Sequence, residues 1–460
     1  LQTLEFSNLT IKPELRDNLT TLGYQQMTPI QAQSLPLITA GKDVIAQAKT
    51  GSGKTAAFGL GLLNRLNVKK FRVQSLVLCP TRELADQVAK EIRKLARGIH
   101  NIKVLTLCGG MPVGPQIGSL EHGAHIIVGT PGRIEDHLVK SRLHLEHLET
   151  LVLDEADRML EMGFQDALDL IFDYCPANRQ TLLFSATFPD QIKGIANKLM
   201  KSPEHVKVES IAQENTITQA FYRVGSNDDR TDALTRLLLA EKPESAVVFC
   251  NTKIAVQEVV QQLKQSGFSA LALHGDLEQR DRNETLIKFT NKSALILVAT
   301  DVAARGLDID DLDAVFNYDI TPDPEVHVHR IGRTGRAGSK GKAYSIYCDK
   351  DARRIVSIED YQKQDIETVE LPRVSVLSER PNTPIMTTLQ IDGGKKNKLR
   401  PGDIVGGLTG KTGIKGDQVG KITVFDVKAY VAVESKVVKA ALKKISNDKM
   451  KGKNFRIRAI

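Results

Sequence analysis

The chain has 460 residues, 41% of them hydrophobic and 26% charged, which suits a soluble protein of two to four domains. No apolar run approaches the ~18 residues of a membrane span, the first ten residues, LQTLEFSNLT, do not read as a signal peptide, and five scattered cysteines without a C-x-x-C pair argue against a zinc site or disulfide frame and for a reduced, cytoplasmic setting. The net charge of +8 is concentrated: Gly393 to Ile460 holds 17 basic against 5 acidic residues, leaving the rest slightly acidic, so the carboxyl-terminal block is an electrostatic footprint for a polyanion.

From about Phe6 to Val208, short apolar runs alternate with amphipathic stretches. Asp43–Ala46, Ser75–Cys79, His125–Val128, Leu151–Leu153 and Thr181–Phe184 read as buried parallel strands, and Arg82–Arg97 reads as a helix. This predicts a doubly wound α/β domain over 1–208. Glu209–Thr216 is short and polar, a hinge. A second α/β domain is predicted over 217–366, with strands at Ala246–Phe249, Ala270–Leu273, Leu295–Val298 and Ala314–Phe316. Leu371–Met386 carries three prolines and no helical period, so it reads as a linker. Over 385–460 the predicted order is strand Thr387–Ile391, a helix opened by Arg400-Pro-Gly-Asp403, strands Gln418–Val424 and Tyr430–Val433, helix Lys436–Ile445 and strand Asn454–Arg458. That β-α-β-β-α-β order is the one used by RNA-recognition modules.

Three stretches carry chemistry. Ala48-Lys49-Thr50-Gly51-Ser52-Gly53-Lys54-Thr55 follows a strand and has the glycines that let backbone N–H groups close on phosphate oxygens. Lys54 would reach the β- and γ-phosphates and Thr55 would ligate magnesium. Asp154-Glu155-Ala156-Asp157 follows a second strand. In an open α/β sheet the carboxyl ends of strands face the ligand, so Asp154 would hold Mg2+ and Glu155 would act as general base toward the attacking water. Arg333 and Arg336, in a Gly/Arg turn of the second domain, suit arginine fingers that stabilise charge on the transferring phosphoryl group. With fingers and phosphate loop on different domains, hydrolysis would require closure.

In chain order the sequence also shows GYQQMTPIQ (23–31), PTREL (80–84), GG (109–110), TPGR (130–133), DEAD (154–157), SAT (185–187), VFCNT (248–252), QRDR (279–282), ATDVAARGLDI (299–309) and HRIGRTGRAG (329–338). This set resembles the DEAD-box ATP-dependent RNA helicases, over roughly Phe6 to Ser345. The resemblance implies two tandem RecA-like doubly wound parallel-sheet domains, here followed by a carboxyl-terminal α+β domain like an RNA-recognition motif. It implies that Gln31 reads adenine, that Phe6 packs on it, and that Asp308 contacts the nucleotide in the closed form. Ser185, Thr187 and Asp157 would couple ATP state to closure. Arg82, Gly110, Thr130, Arg133, Gln279, Arg282 and Thr300 would line a single-stranded RNA backbone.

The last domain, with Gly393-Gly-Lys-Lys396, Arg400-Pro-Gly-Asp403 and Lys451-Gly-Lys453, resembles the specificity domain of the DbpA-type bacterial subfamily. The implied partners are a large-subunit ribosomal RNA hairpin near the peptidyl-transferase centre and the pre-ribosomal particle, with the protein a monomer and no membrane involved. The first strand of this domain has no aromatic residue and the third offers only Tyr430, so Lys395, Lys396, Lys398 and Arg400 are the better candidates for RNA contact. Two other readings compete with an unwinding enzyme. An ATP-controlled RNA clamp would need the same motifs, although Ser185, Thr187, Arg333 and Arg336 favour turnover. A DNA translocase fits poorly with Gln31 and its segment.

Overall fold

The computed structural model describes residues 5–48, 51–208, 217–304, 309, 311–335, 340–410, 413–447 and 449–460. Contacts divide the chain into two units, the first ending at Gln213 and the second holding nearly all the rest. Among the described residues no helix is long and apolar enough to cross a membrane. All five cysteines are free thiols.

In the first unit seven short strands form one parallel sheet in the order β3-β4-β2-β5-β6-β1-β7. They are β1 Val44–Gln47, β2 Ser75–Leu78, β3 Val104–Leu107, β4 Ile126–Gly129, β5 Thr150–Asp154, β6 Gln180–Ser185 and β7 Glu204–Lys207. Their apolar runs are continuous because both faces are covered. Ala46, Val77 and Phe184 pack into one core, while Ile45, Leu76, Leu78 and Leu183 pack into the core on the opposite face. The predicted Arg82–Arg97 helix runs Arg82–Leu95 and tightens into a 3-10 turn at Ala96–Gly98.

The second unit opens with a six-stranded parallel sheet, order β10-β11-β9-β12-β13-β8. Its strands are β8 Ile217–Arg223, β9 Ala246–Phe249, β10 Ala270–Leu273, β11 Ile296–Ala299, β12 Ala314–Asn317 and β13 Gly341–Tyr347. Sequence periodicity missed β3, β7, β8 and β13. β7 is largely exposed and β8 mostly half-buried, so neither carries a continuous apolar run, and polar and aromatic residues interrupt the one in the buried β13.

The same unit ends in a four-stranded antiparallel sheet, order β15-β16-β14-β17, with β14 Met386–Ile391, β15 Val419–Val424, β16 Ala429–Glu434 and β17 Ile457–Ala459. Helices Pro401–Thr409 and Val438–Asn447 cover one face, burying Leu389, Ile391, Val431 and Val433 against Ile404, Leu408, Ala441 and Ile445. The β-α-β-β-α-β order is as expected, with the last strand shorter than its apolar pattern suggested.

The segment read as a linker is strapped down along its length. Arg236 Nε donates to Pro372 O at 2.7 Å, Lys242 pairs with Glu379, and Asn382 Nδ2 donates to Lys242 O at 2.7 Å. Leu371 and Val376 pack on the apolar core of the preceding parallel-sheet domain.

Candidate nucleotide and RNA sites

Six motifs of the first unit leave the carboxyl ends of strands: 48–55 follows β1, 80–84 follows β2, 109–110 follows β3, 130–133 follows β4, 154–157 closes β5 and 185–187 closes β6. Parallel strand pairing alone brings these distant segments to one edge. The loop after β1 turns through left-handed Gly51 (φ 83°) and Gly53 (φ 92°), and Lys54 opens the Lys54–Arg65 helix. Gly53 is required twice over. Its φ disfavours a side chain, and a Cβ there would stand 2.5 Å from Gln31 Nε2.

Lys54 is buried, its Nζ donating to Ala48 O at 2.8 Å. The Ser52 hydroxyl oxygen is buried with no partner among the described residues. Asp154 is buried at the tip of β5. Burial pushes its carboxyl up to about 7, Glu155 adds to the rise and Lys54 opposes it. A buried carboxylate, an unpaired hydroxyl and the half-buried Thr55 near Ser52 in sequence make a donor set that fits a nucleotide phosphate with a divalent cation. Glu155 sits at φ 52°, a left-handed position that costs a non-glycine residue about 1–2 kcal/mol, and it caps the Ala156–Glu161 helix.

Gln31 Oε1 accepts from Thr28 N at 2.9 Å and its Nε2 donates to Gly53 O at 3.0 Å, tying the Pro29–Thr39 helix to the phosphate loop and leaving one N–H and one lone pair. Phe6 is buried edge-on to Tyr24, with centroids 5.9 Å apart, and its N donates to Gln25 O. The expected coupling residues meet directly. Thr187 donates to Asp157 Oδ2 from both its N and its Oγ1, each at 2.9 Å, and Asp157 N donates to Ser185 Oγ at 3.4 Å. Burial alone would raise the Asp157 carboxyl, but the Thr187 bonds outweigh it and hold it below the usual range.

The expected RNA residues of this unit also assemble. Gly109 N donates to Thr130 Oγ1 at 3.4 Å, Arg133 Nη1 donates to Met111 O at 3.2 Å, and Gly110 has φ 69°. Arg82 opens its helix with Nη1 buried and without a partner among the described residues. Sequence reading missed the brace behind them: Gln116 Nε2 donates to Cys108 O at 3.1 Å, and Gln116 Oε1 meets His137 Nε2 at 3.2 Å.

In the second unit Gln279 and Arg282 begin the Gln279–Thr290 helix, and Arg282 Nη2 donates to Ala303 O at 2.6 Å. Thr300 N donates to Leu273 O at the end of β10. Arg333 follows the Pro324–Ile331 helix and is half-buried. Lys49, Thr50, Asp308 and Arg336 lie outside the described residues.

The residue that organises this edge is Arg330, which went unremarked inside its motif. It is buried, pairing bidentately with Asp301 at 2.6 and 2.7 Å, donating to Asp319 O at 2.6 Å and to Asn251 Oδ1 at 2.9 Å, and lying over the Phe249 ring. It thereby ties together the segments that follow β9, β11 and β12. An arginine spaced for a turn gives no sequence sign of being buried.

In the antiparallel domain Lys395, Lys396, Lys398 and Arg400 are exposed on one braced turn. Lys395 N and Lys396 N donate to Phe425 O and Asp426 O, and Lys451 Nζ donates to Lys398 O. Gly394 fits where a Cβ would lie 2.2 Å from Phe425 O. Tyr430 is only 5% exposed.

A glycine loop that opens a buried helix after β1, an acid at the tip of β5 in the same sheet and a second parallel-sheet domain together define a nucleotide-hydrolysing enzyme of the two-domain helicase class. Residues 28–195 match the DEAD/DEAH box helicase family, 229–338 the helicase conserved C-terminal domain, and 388–459 the DbpA RNA binding domain. The chain is 52% identical to the ATP-dependent RNA helicase DbpA of Escherichia coli over 99% of both chains. It is 46% identical to the DEAD-box helicase CshA of Geobacillus kaustophilus, covering 80% of this chain and 78% of that one. The structure of S. cerevisiae Dbp5 bound to RNA and ADP BeF3 superimposes with TM-score 0.72 at 32% identity, over 80% of this chain and 96% of that one. The chain belongs to the DEAD-box ATP-dependent RNA helicases, and within them to the DbpA type. It is an ATP-dependent RNA helicase with an RNA-binding carboxyl-terminal domain.

Proposed function

We propose that this helicase locally separates short RNA duplexes in large-subunit ribosomal RNA, recruited by its third domain to a hairpin near the peptidyl-transferase centre during subunit assembly in the cytoplasm. What supports the reading most is the pairing of two surfaces: a carboxyl edge rich in unmet polar groups in the first domain, and an exposed cationic turn in the third.

In this reading Gly51, Ser52, Gly53 and Lys54 cradle the triphosphate of ATP, with Lys49 and Thr50 completing the loop. Thr55 and Asp154 would hold Mg2+, which would supply charge neutralisation to the nucleotide phosphates. Glu155 accepts the proton of the attacking water. Arg333, with Arg336, stabilises charge on the transferring phosphoryl group, and Asp308 meets the nucleotide only on closure. Ser185 and Thr187, through Asp157, report nucleotide state. Arg82, Gly110, Thr130 and Arg133 on one unit and Gln279, Arg282 and Thr300 on the other grip the RNA backbone without reading bases. Lys395, Lys396, Lys398 and Arg400 hold the hairpin through phosphates, and the protein works as a monomer.

The test is ATP turnover with generic RNA, with DNA and with a ribosomal fragment carrying the hairpin. The measurement is repeated after charge reversal at Lys395, Lys396, Lys398 and Arg400. Selective stimulation by the fragment, lost on reversal, is expected. Equal stimulation by every RNA in both proteins would refute the targeting.

A further inference from the structure

The antiparallel sheet has an outer face, opposite its two helices, that in ordinary RNA-recognition modules stacks bases. Here that face bears Thr388, Gln390, Tyr430 and Ala432, and all four are buried. What covers it includes the end of the Gln279–Thr290 helix and the turn beyond. Asn291 Nδ2 donates to Thr388 Oγ1 at 3.1 Å, and Ser293 Oγ lies 2.6 Å from the same hydroxyl. Asn291 and Thr388 are themselves buried. The Tyr430 phenol is pushed up by burial and then by the neighbouring Glu284 carboxylate, with Arg280 opposing.

At ~100° per residue, Arg280, Glu284, Lys288 and Asn291 fall on one stripe of that helix. Glu284 and Lys288 pair along it at 3.0 Å. Gln279 and Arg282 fall on other stripes, Gln279 bonded to Asn283 and Arg282 to Ala303 O. One helix therefore seats the antiparallel domain on one side and presents RNA-facing residues on another. The strapped segment 372–382 shortens the tether between the same two bodies.

We propose that Thr388 is a positioning residue. Its hydroxyl, held by Asn291 and Ser293, registers the antiparallel domain on the Gln279–Thr290 helix. RNA captured at Lys395–Arg400 is thereby delivered in fixed register to Gln279 and Arg282. The inference rests on the assignment of those residues to RNA under the proposed function.

The test uses the full chain. Thr388→Val keeps the shape and removes the hydroxyl, and Thr388→Ser keeps the hydroxyl. Turnover is measured with a generic single strand and with the hairpin-bearing fragment, and hairpin Kd is measured separately. For Thr388→Val, kcat/KM on the hairpin substrate should fall roughly tenfold, a typical coupling between sites, while hairpin Kd and generic-RNA turnover stay within about twofold. Thr388→Ser should restore it. Unchanged hairpin turnover overturns the proposal, and so does an equal loss on both RNAs, which is the mark of a folding defect. Amide hydrogen exchange over 279–293 and 386–391 gives a readout independent of RNA choice. It should rise in Thr388→Val, and unaltered exchange overturns the docking role. If the native protein does not distinguish the two RNAs, the targeting reading fails while the exchange measurement still decides this one.

Discussion

At the carboxyl edge of the first parallel sheet, polar groups are left unmet: Ser52 Oγ and Arg82 Nη1 lack partners among the described residues, and Asp154 is buried with a carboxyl raised to about 7. At the same edge of the second sheet, each of the five N–H groups of Arg330 has an acceptor, drawn from Asp301, Asn317, Asp319 O and Asn251. The two domains share an architecture, and the second edge adds the filled Arg330 network, although His274 Nδ1 just beyond β10 also lacks a partner among the described residues. Unmet groups cost stability until a ligand satisfies them, whereas a saturated network fixes geometry in advance. Under the proposed function the first edge binds the ligand, and the Arg330 network braces the helix end that leads to Arg333.

The largest break in this contrast should come from Glu155→Gln. Removing a general base costs typically 10²–10⁴-fold, so turnover should collapse while ATP and RNA affinities persist. Substantial residual RNA-stimulated hydrolysis would rule out Glu155 as the base. Next is Arg330→Ala, which strands the Asp301 carboxylate. Breaking a buried pair from one side costs roughly 3–5 kcal/mol, so denaturant titration should show the second unit unfolding early while nucleotide still binds the first. If both units soften together, the contrast between them is wrong.

A smaller effect follows from His327, stacked on Phe221 with Nε2 3.1 Å from Gln219 Oε1. Burial, with Arg330 adding, lowers its pKa to about 4. The unfolded chain takes up a proton near pH 6.5 that the folded domain refuses. Stability should therefore fall as pH drops from about 6.5 toward 4, by roughly 3 kcal/mol in all, and be insensitive to this group above that window. His327→Gln should flatten that slope in pH-dependent melts. The smallest effect is expected from Thr187→Ala, which deletes one of two bonds to Asp157 at about 1 kcal/mol. Because the Asp157 pKa is depressed in the folded state, its contribution is present above the unfolded carboxylate pKa and lost as pH falls through the folded value. The variant should narrow that loss and weaken the link between ATP binding and duplex separation more than ATP binding itself.

Much of the first edge was legible because the chemistry sits in contiguous strings. Ala48 to Thr55 must be glycine-rich to close on phosphate, and each further motif trails an apolar run of strand length. Arg330, Gln116 and His137 were not legible, since nothing local distinguishes a buried arginine or histidine from an exposed one. The Leu371–Met386 linker was legible only in part for a related reason. Prolines exclude a helix, but they do not say whether an irregular strand of chain hangs free or is bound down by Arg236 and Lys242.

By itself the sequence determined the succession of motifs, the parallel-sheet character of two domains, the β-α-β-β-α-β order of the third and its basic charge. All of these are encoded in local periodicity and composition. Only the tertiary structure decided that Asp154 is buried with its carboxyl raised, that Arg330 binds three strand ends together, that Thr388 bonds Asn291 and Ser293 of the preceding domain, and that Tyr430 lies near Glu284 rather than in solvent. Those facts depend on which surfaces meet between segments far apart in the chain, as Asn291 and Thr388 do across 97 residues. A period of two marks the two faces of a strand without saying what will cover either.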